Sequence, residues 1–165
     1  MSFHKLLIIV FLLLFSCNTK DNQNIPAEFK AKVIAIKDGD TIEVLYNGKP
    51  LRIRLAHIDC PEKSQSFGKA AKQFTSDMCF GQNVTVINYD GFDRYKRWVA
   101  VIVNDKGQTV NKELVAAGLA WHFTKYSSDE EYDKLESVAR ENKVGLWADQ
   151  DPTPPWKWRR GNKNK

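Results

Sequence analysis

The longest apolar run in the chain is ten residues, residues 6–15. A membrane-spanning helix needs roughly 20, so the sequence predicts no spanning segment. Cysteine is scarce, with three among 165 residues, at 17, 60 and 79. A chain of this length can bury a full core, so neither a disulfide framework nor a structural metal is needed for folding. Nine Gly and six Pro are ordinary usage and exclude collagen-like and wholly disordered chains. Acid is missing from the end of the chain. Residues 156–165 hold Lys157, Arg159, Arg160, Lys163 and Lys165 with no Asp or Glu, and they account for the whole formal net charge of +5. Because the rest of the chain is balanced, global basicity is no argument for nucleic-acid binding; that has to come from local groupings.

The apolar run follows His4 and Lys5, and this order fits a secretory signal peptide. Leu14-Phe15-Ser16-Cys17 and the polar run after it resemble a bacterial lipoprotein signal, which implies lipidation of Cys17 and a membrane anchor. Secretion without lipid and a retained leader stay open as alternatives. The expected organisation is a leader over 1–16, a flexible tether over 17–27, one domain over 28–148 and a Pro/Trp/basic tail over 149–165. Lipidation would leave Cys60 and Cys79 as the remaining thiols, paired or separate.

Hydrophobic alternation predicts strands over residues 28–37, 41–46 and 51–58, with Asn47-Gly48 as a hairpin signal between the last two. Helical spacing of Phe67, Ala70, Ala71, Phe74 and Met78 predicts a helix over 67–80, closed by Gly81. Residues 84–87 and 98–103 read as two further strands and residues 110–117 as a short helix. Ser128 with Glu131 suggests a capping box for a third helix, with Tyr132, Leu135, Val138 and Ala139 inward and Gly145 as its stop. Five short strands with a helix after the third predict an α+β, mainly β fold: an OB-like Greek-key barrel with three helices. The tail is expected to be extended, its indoles packed on the domain and its basic end in solvent.

Asp40 falls in the first turn, and Asp59 and Glu62 fall just past the third strand. Oxygen-only ligands of this kind suit a hard cation such as Ca²⁺ or Mg²⁺. Alone, such a trio is more often solvated loop charge. Arg54 precedes Asp59 on the same strand and Arg97 opens the fifth. A cation flanked by two guanidiniums matches the charge that grows on phosphoryl oxygens in a transition state, and a neighbouring carboxylate can act on water. His57 and His122 are read as packed imidazoles, and Trp121, Phe123 and Trp147 as core or rim residues.

Asp38-Gly39-Asp40-Thr41, Arg54-Leu55, Ile58-Asp59-Cys60-Pro61-Glu62, Asp93-x-Tyr95-x-Arg97 and the Val110–Ala120 run then stand in the order found in the staphylococcal nuclease family. The resemblance spans about residues 30–148. It implies Ca²⁺ ligation by Asp40, Asp59 and the backbone carbonyl of Cys60. It further implies phosphate binding by Arg54 and Arg97, action on the attacking water by Glu62, and nucleotide contacts from Arg94, Tyr95 and Tyr126. Lys96 stands where the family usually has Gly, and Thr124 where some members have a second aromatic. The resemblance implies an exported, calcium-dependent phosphodiesterase, a monomer acting on DNA and RNA with 3′-phosphate products. The competing expectation is a non-catalytic OB module that binds nucleic acid or protein; such modules typically lack the site acids or arginines present here.

Overall fold

The structure is a computed structural model and describes residues 25–162. The expected leader, most of the tether and Cys17 lie outside the described residues. Seven strands and four α-helices follow in chain order: β1 (Glu28–Asp38), β2 (Thr41–Tyr46), β3 (Lys49–Leu55), β4 (Ile58–Asp59), α1 (Gly68–Cys79), β5 (Asn83–Phe92), β6 (Trp98–Val103), α2 (Val110–Ala116), β7 (Trp121–His122), α3 (Glu130–Glu141) and α4 (Pro155–Asn162). A 3₁₀ turn, Gly145–Ala148, precedes the tail.

Five strands close into a barrel in the order β1-β2-β3-β6-β5, and β4 pairs with β7 as a separate two-stranded ribbon. All barrel pairings are antiparallel except β3 with β6. This is the mainly β, OB-like architecture that the sequence predicts. Alternate residues fill the interior: Val33, Ile42, Val44, Ile53, Val84, Val86 and Ile102 are fully buried. Ile25 and Ala27 already dock, Ile25 in the core and the Ala27 carbonyl accepting from the Asn88 N–H.

Four details depart from the periodicity reading. The third strand stops at Leu55, because His57 adopts φ 69° and redirects the chain into β4. The cap of α3 is Asp129, whose side chain accepts from the Glu131 N–H, so Ser128 does not form the capping box. Val138 is 48% exposed; the inward face of α3 is carried by Tyr132 and Ala139, with Leu135 partly buried. The helix itself ends at Glu141, four residues before Gly145.

Two polar anchors hold helices to the barrel where the site lies. The Thr75 hydroxyl on α1 donates to the Gly39 carbonyl at 2.6 Å, fixing the β1–β2 turn. Asn111 on α2 is fully buried; its Oδ1 accepts from Ile102 N–H and its Nδ2 donates to the carbonyls of Ala56 and Ala100. That amide bridges α2, β6 and the bend between β3 and β4. Buried polar groups this fully paired are costly to break. Cys60 and Cys79 are both buried free thiols, and burial pushes both pKa values up, that of Cys79 to about 12.

Candidate active site

Barrel register begins the site. Thr41 of β2 lies opposite Arg54 of β3, and the Leu55 N–H donates to the Asp40 carbonyl, so the first turn sits against the end of β3. The bend at His57 and the β4–β7 pairing then fold Asp59 back toward Arg54. Arg54 Nη2 lies 3.2 Å from Asp40 Oδ2 and 3.1 Å from Asp59 Oδ1, while its Nη1 donates to the Leu55 carbonyl at 2.6 Å. Two acids 19 positions apart in sequence thus share one guanidinium nitrogen. Asp40 is fixed further by the Thr41 hydroxyl, at 3.0 Å, and by the Cys60 N–H, at 2.8 Å.

Asp59 is 2% exposed. Burial raises its pKa, Arg159 and Arg54 oppose that shift, and the Asp40 carboxylate reinforces it. Glu62 extends from the loop after β4. That loop is cross-braced: the Gln65 N–H donates to the Glu62 carbonyl, and the Glu62 N–H donates to Gln65 Oε1. Gly68 opens α1 directly against the Glu62 carbonyl, and any Cβ there would collide with that oxygen. Here glycine is required by close approach.

Arg97 sits elsewhere in its contacts. Its side chain binds Asp93, with Nε at 2.8 Å and Nη2 at 2.7 Å from Oδ2, while its own N–H and that of Tyr95 donate to Asp93 Oδ1. No direct contact joins Arg97 to Asp40, Asp59 or Glu62 among the described residues. The loop between β5 and β6 is therefore a unit organised by Asp93, with Arg94 and Arg97 both over the Tyr95 ring at 4.7 and 5.4 Å. Lys96 takes φ 60° in this loop, the left-handed conformation that glycine adopts without cost. Tyr95 and Tyr126 are 63% and 60% exposed, Tyr95 beneath those guanidiniums and Tyr126 edge-on to Phe123.

Tyr126 is held by its neighbour. Ser127 Oγ lies 2.7 Å from His57 Nδ1 and 2.8 Å from His122 Nε2, and His122 Nδ1 lies 2.6 Å from Asp133. Both histidines are thus paired, as the sequence reading expects. Ser127 is buried, so this chain of groups positions a loop and presents no nucleophile.

The residue that sequence reasoning missed is Arg159. From α4 it reaches Asp59 (Nη2 to Oδ2 2.6 Å, Nη1 to Oδ1 3.2 Å) and Glu62 (Nη1 to Oε1 2.7 Å). Burial works against its charge, but hydrogen bonds to the two carboxylates outweigh it and raise the pKa. The tail is helical from Pro155, not extended, and Arg159 lies in the site rather than in solvent. Trp156 does pack back as expected, stacked on Phe123 and edge-on to Trp121. The only signal in the sequence was an acid-free run carrying two Trp.

Beside Glu62, an open groove of about 310 Å³ runs along α1, lined by Lys63, Lys69, Lys72, Gln73, Ser76, Ile36 and Phe80.

A closed OB-like barrel whose first turn and β4 bring two carboxylates onto an arginine, with a third acid alongside, defines the class of phosphodiester-cleaving barrels. The family described as staphylococcal nuclease homologue matches residues 52–149, and the chain belongs to this family. It is 39% identical to an uncharacterized endonuclease of Haemophilus influenzae over 95% of this chain and 84% of that one. It is 40% identical to a micrococcal nuclease of Shigella flexneri, covering 84% of each chain. A probable staphylococcal-like nuclease of Oryza sativa subsp. japonica is 41% identical over 70% of this chain and 34% of its own length. The protein is a nuclease, an enzyme that cleaves phosphodiester bonds of nucleic acid.

Proposed function

We propose that the protein is an exported, calcium-dependent nuclease that hydrolyses DNA and RNA with little sequence preference and leaves 3′-phosphates. The observation that carries this reading is the single Arg54 nitrogen within 3.2 Å of both Asp40 and Asp59. Two carboxylates held this close draw positive charge, and their oxygens suit a hard cation. Among the described residues no cluster of three or more His, Cys, Asp or Glu could hold a metal by itself. The family resemblance adds the backbone carbonyl of Cys60 to this ligand set, and solvent would complete it. A guanidinium already stands against Asp59 in the place of a positive ligand, and this supports the fit of the site to a cation. Bound there, Ca²⁺ would supply charge to the phosphoryl oxygens and orient the substrate.

The chain's own residues do the rest. Glu62 accepts a proton from the attacking water, its carboxylate being partly exposed on the loop after β4. Arg54 and Arg97 offer planar forks to the equatorial phosphate oxygens as their charge grows. Arg94, Tyr95 and Tyr126 hold the nucleotide beside the scissile bond. Contacts directed at phosphate and at base faces carry little sequence information, which supports broad specificity. The leader-like residues 6–17 support export, with Cys17 as the lipid attachment point and the enzyme acting as a monomer. A site of few protein ligands is suited to the calcium levels outside cells.

The test is hydrolysis of single-stranded DNA and of RNA with calcium and with chelator. Chelation is expected to abolish cleavage, and Glu62→Gln and Arg97→Ala to lower kcat by about 10²-fold or more, with the melting curve of Glu62→Gln unchanged. Cleavage that persists in chelator rejects the calcium mechanism. Near-normal turnover by Glu62→Gln rejects the role of that acid.

A further inference from the structure

Both carboxylate oxygens of Asp59 are already bound by arginine. Oδ1 accepts from Arg54 Nη2 and Arg159 Nη1, and Oδ2 accepts from Arg159 Nη2 at 2.6 Å. The same Nη1 holds Glu62 Oε1 at 2.7 Å. Asp59 is 2% exposed while the Arg159 side chain is 41% exposed, so the guanidinium lies on the solvent side of a carboxylate it covers. One arginine thus occupies the ligand oxygens that a cation would use and the acid that would act on water.

The contact is built into the tail. Pro155 opens α4, where a missing N–H is harmless and a fixed φ favours the helix. Trp156 stacks on Phe123 with ring centroids 5.2 Å apart and planes at 9°, and meets Trp121 edge-on at 5.6 Å. Trp156 and Arg159 are three residues apart, so one helix face carries both the anchor and the guanidinium. A second tie comes from the loop that carries Glu62, where Gln65 Nε2 donates to the Thr153 carbonyl. The indole anchor rests on the satellite core of Trp121, Ala139, Leu146 and Trp147, independent of the acids.

We propose that residues 153–160 form a self-docking plug, in which Arg159 is the resident counter-ion of the active site and a divalent cation binds by displacing it. This inference rests on the calcium reading of the same acids. Exchange is feasible because an exposed guanidinium pays side-chain entropy to stay docked, whereas a doubly charged ion draws on Asp40 and Asp59 together. Cation loading then frees Glu62 in the same step, so the enzyme holds its acids neutralised until calcium is present.

The experiment is calorimetric titration of the full chain with calcium in the absence of nucleic acid, with hydrogen exchange of residues 155–162 measured in parallel. Arg159→Ala is expected to bind calcium about tenfold or more tightly than the unaltered chain. Trp156→Ala, which leaves the guanidinium but loosens its anchor, is expected to show a smaller gain. Calcium is expected to speed exchange in α4 of the unaltered chain; a purely long-range charge effect would not do so. Equal or weaker affinity in Arg159→Ala with an intact melting transition, or α4 exchange unchanged at calcium saturation, overturns the plug and leaves the calcium reading standing. No calcium binding by any of the three proteins overturns both.

Discussion

Asp93 shows how a single residue can organise a loop and the arginine it carries. Its carboxylate takes two backbone N–H donors and the Arg97 side chain. Burial raises its pKa, but the hydrogen bonds and charge of Arg97 outweigh burial and hold it below the usual 3.8. A carboxyl depressed in the native state stabilises the fold at pH values above its unfolded value, and the stabilisation is lost as pH falls through the native value. Asp93→Asn is therefore expected to cost about 1–2 kcal/mol at pH 7, where the charged hydrogen bonds are made. The difference from the unaltered chain is expected to close below pH 3.8. Denaturant titrations at pH 7 and near pH 3 check this, and an equal deficit at both would show that ionisation is not the cause.

At the scale of elements, the β5–β6 loop carries a local conflict. It needs a left-handed residue before Arg97, and Lys96 fills that place with φ 60°. A side chain in that region costs about 1–2 kcal/mol, part of which glycine returns through its greater freedom when unfolded. Lys96→Gly is expected to raise the melting temperature by a few degrees, at most about 1 kcal/mol of stability. An unchanged or lower melting temperature would show that the loop bears no strain at Lys96. The sequence motif had already marked this position, because the family usually places Gly there.

Over the whole molecule, the charge balance hides a division of labour. The acids gather at one end of the barrel around Arg54, while Lys63, Lys69 and Lys72 line the groove along α1 beside Glu62. A polyanion lying in that groove would release counterions in proportion to the phosphates it pairs. Replacing Lys69 and Lys72 with Ala is expected to weaken single-stranded DNA binding uniformly across sequences. It is also expected to lower the slope of log affinity against log salt by about 1.4, roughly 0.7 per phosphate contact. Binding measured between 50 and about 200 mM salt checks this, and an unaltered slope would exclude the groove from the substrate path.

The barrel was legible in the sequence because its signals are local. Alternation marked the strands, Asn47-Gly48 marked a hairpin, and Thr41 and Arg54 fall opposite each other once that hairpin is in register. The acids and Arg54 were legible as residue types at strand ends. Their convergence was legible only through the family resemblance, since physically it depends on the left-handed bend at His57 and on the pairing of β4 with β7, more than 60 residues downstream. The cap at Asp129 and the exposed Val138 were lost to near-equivalent neighbours. Arg159 was out of reach for a plainer reason. An arginine in a basic tail has no periodicity to betray a partner 100 positions away. Sequence alone determined which residues could carry phosphodiester chemistry, because side-chain chemistry and short-range pattern are properties of the chain. Which guanidinium sits on which carboxylate was decided only by the tertiary structure, because ion pairing depends on distances that closing the barrel and docking the tail create.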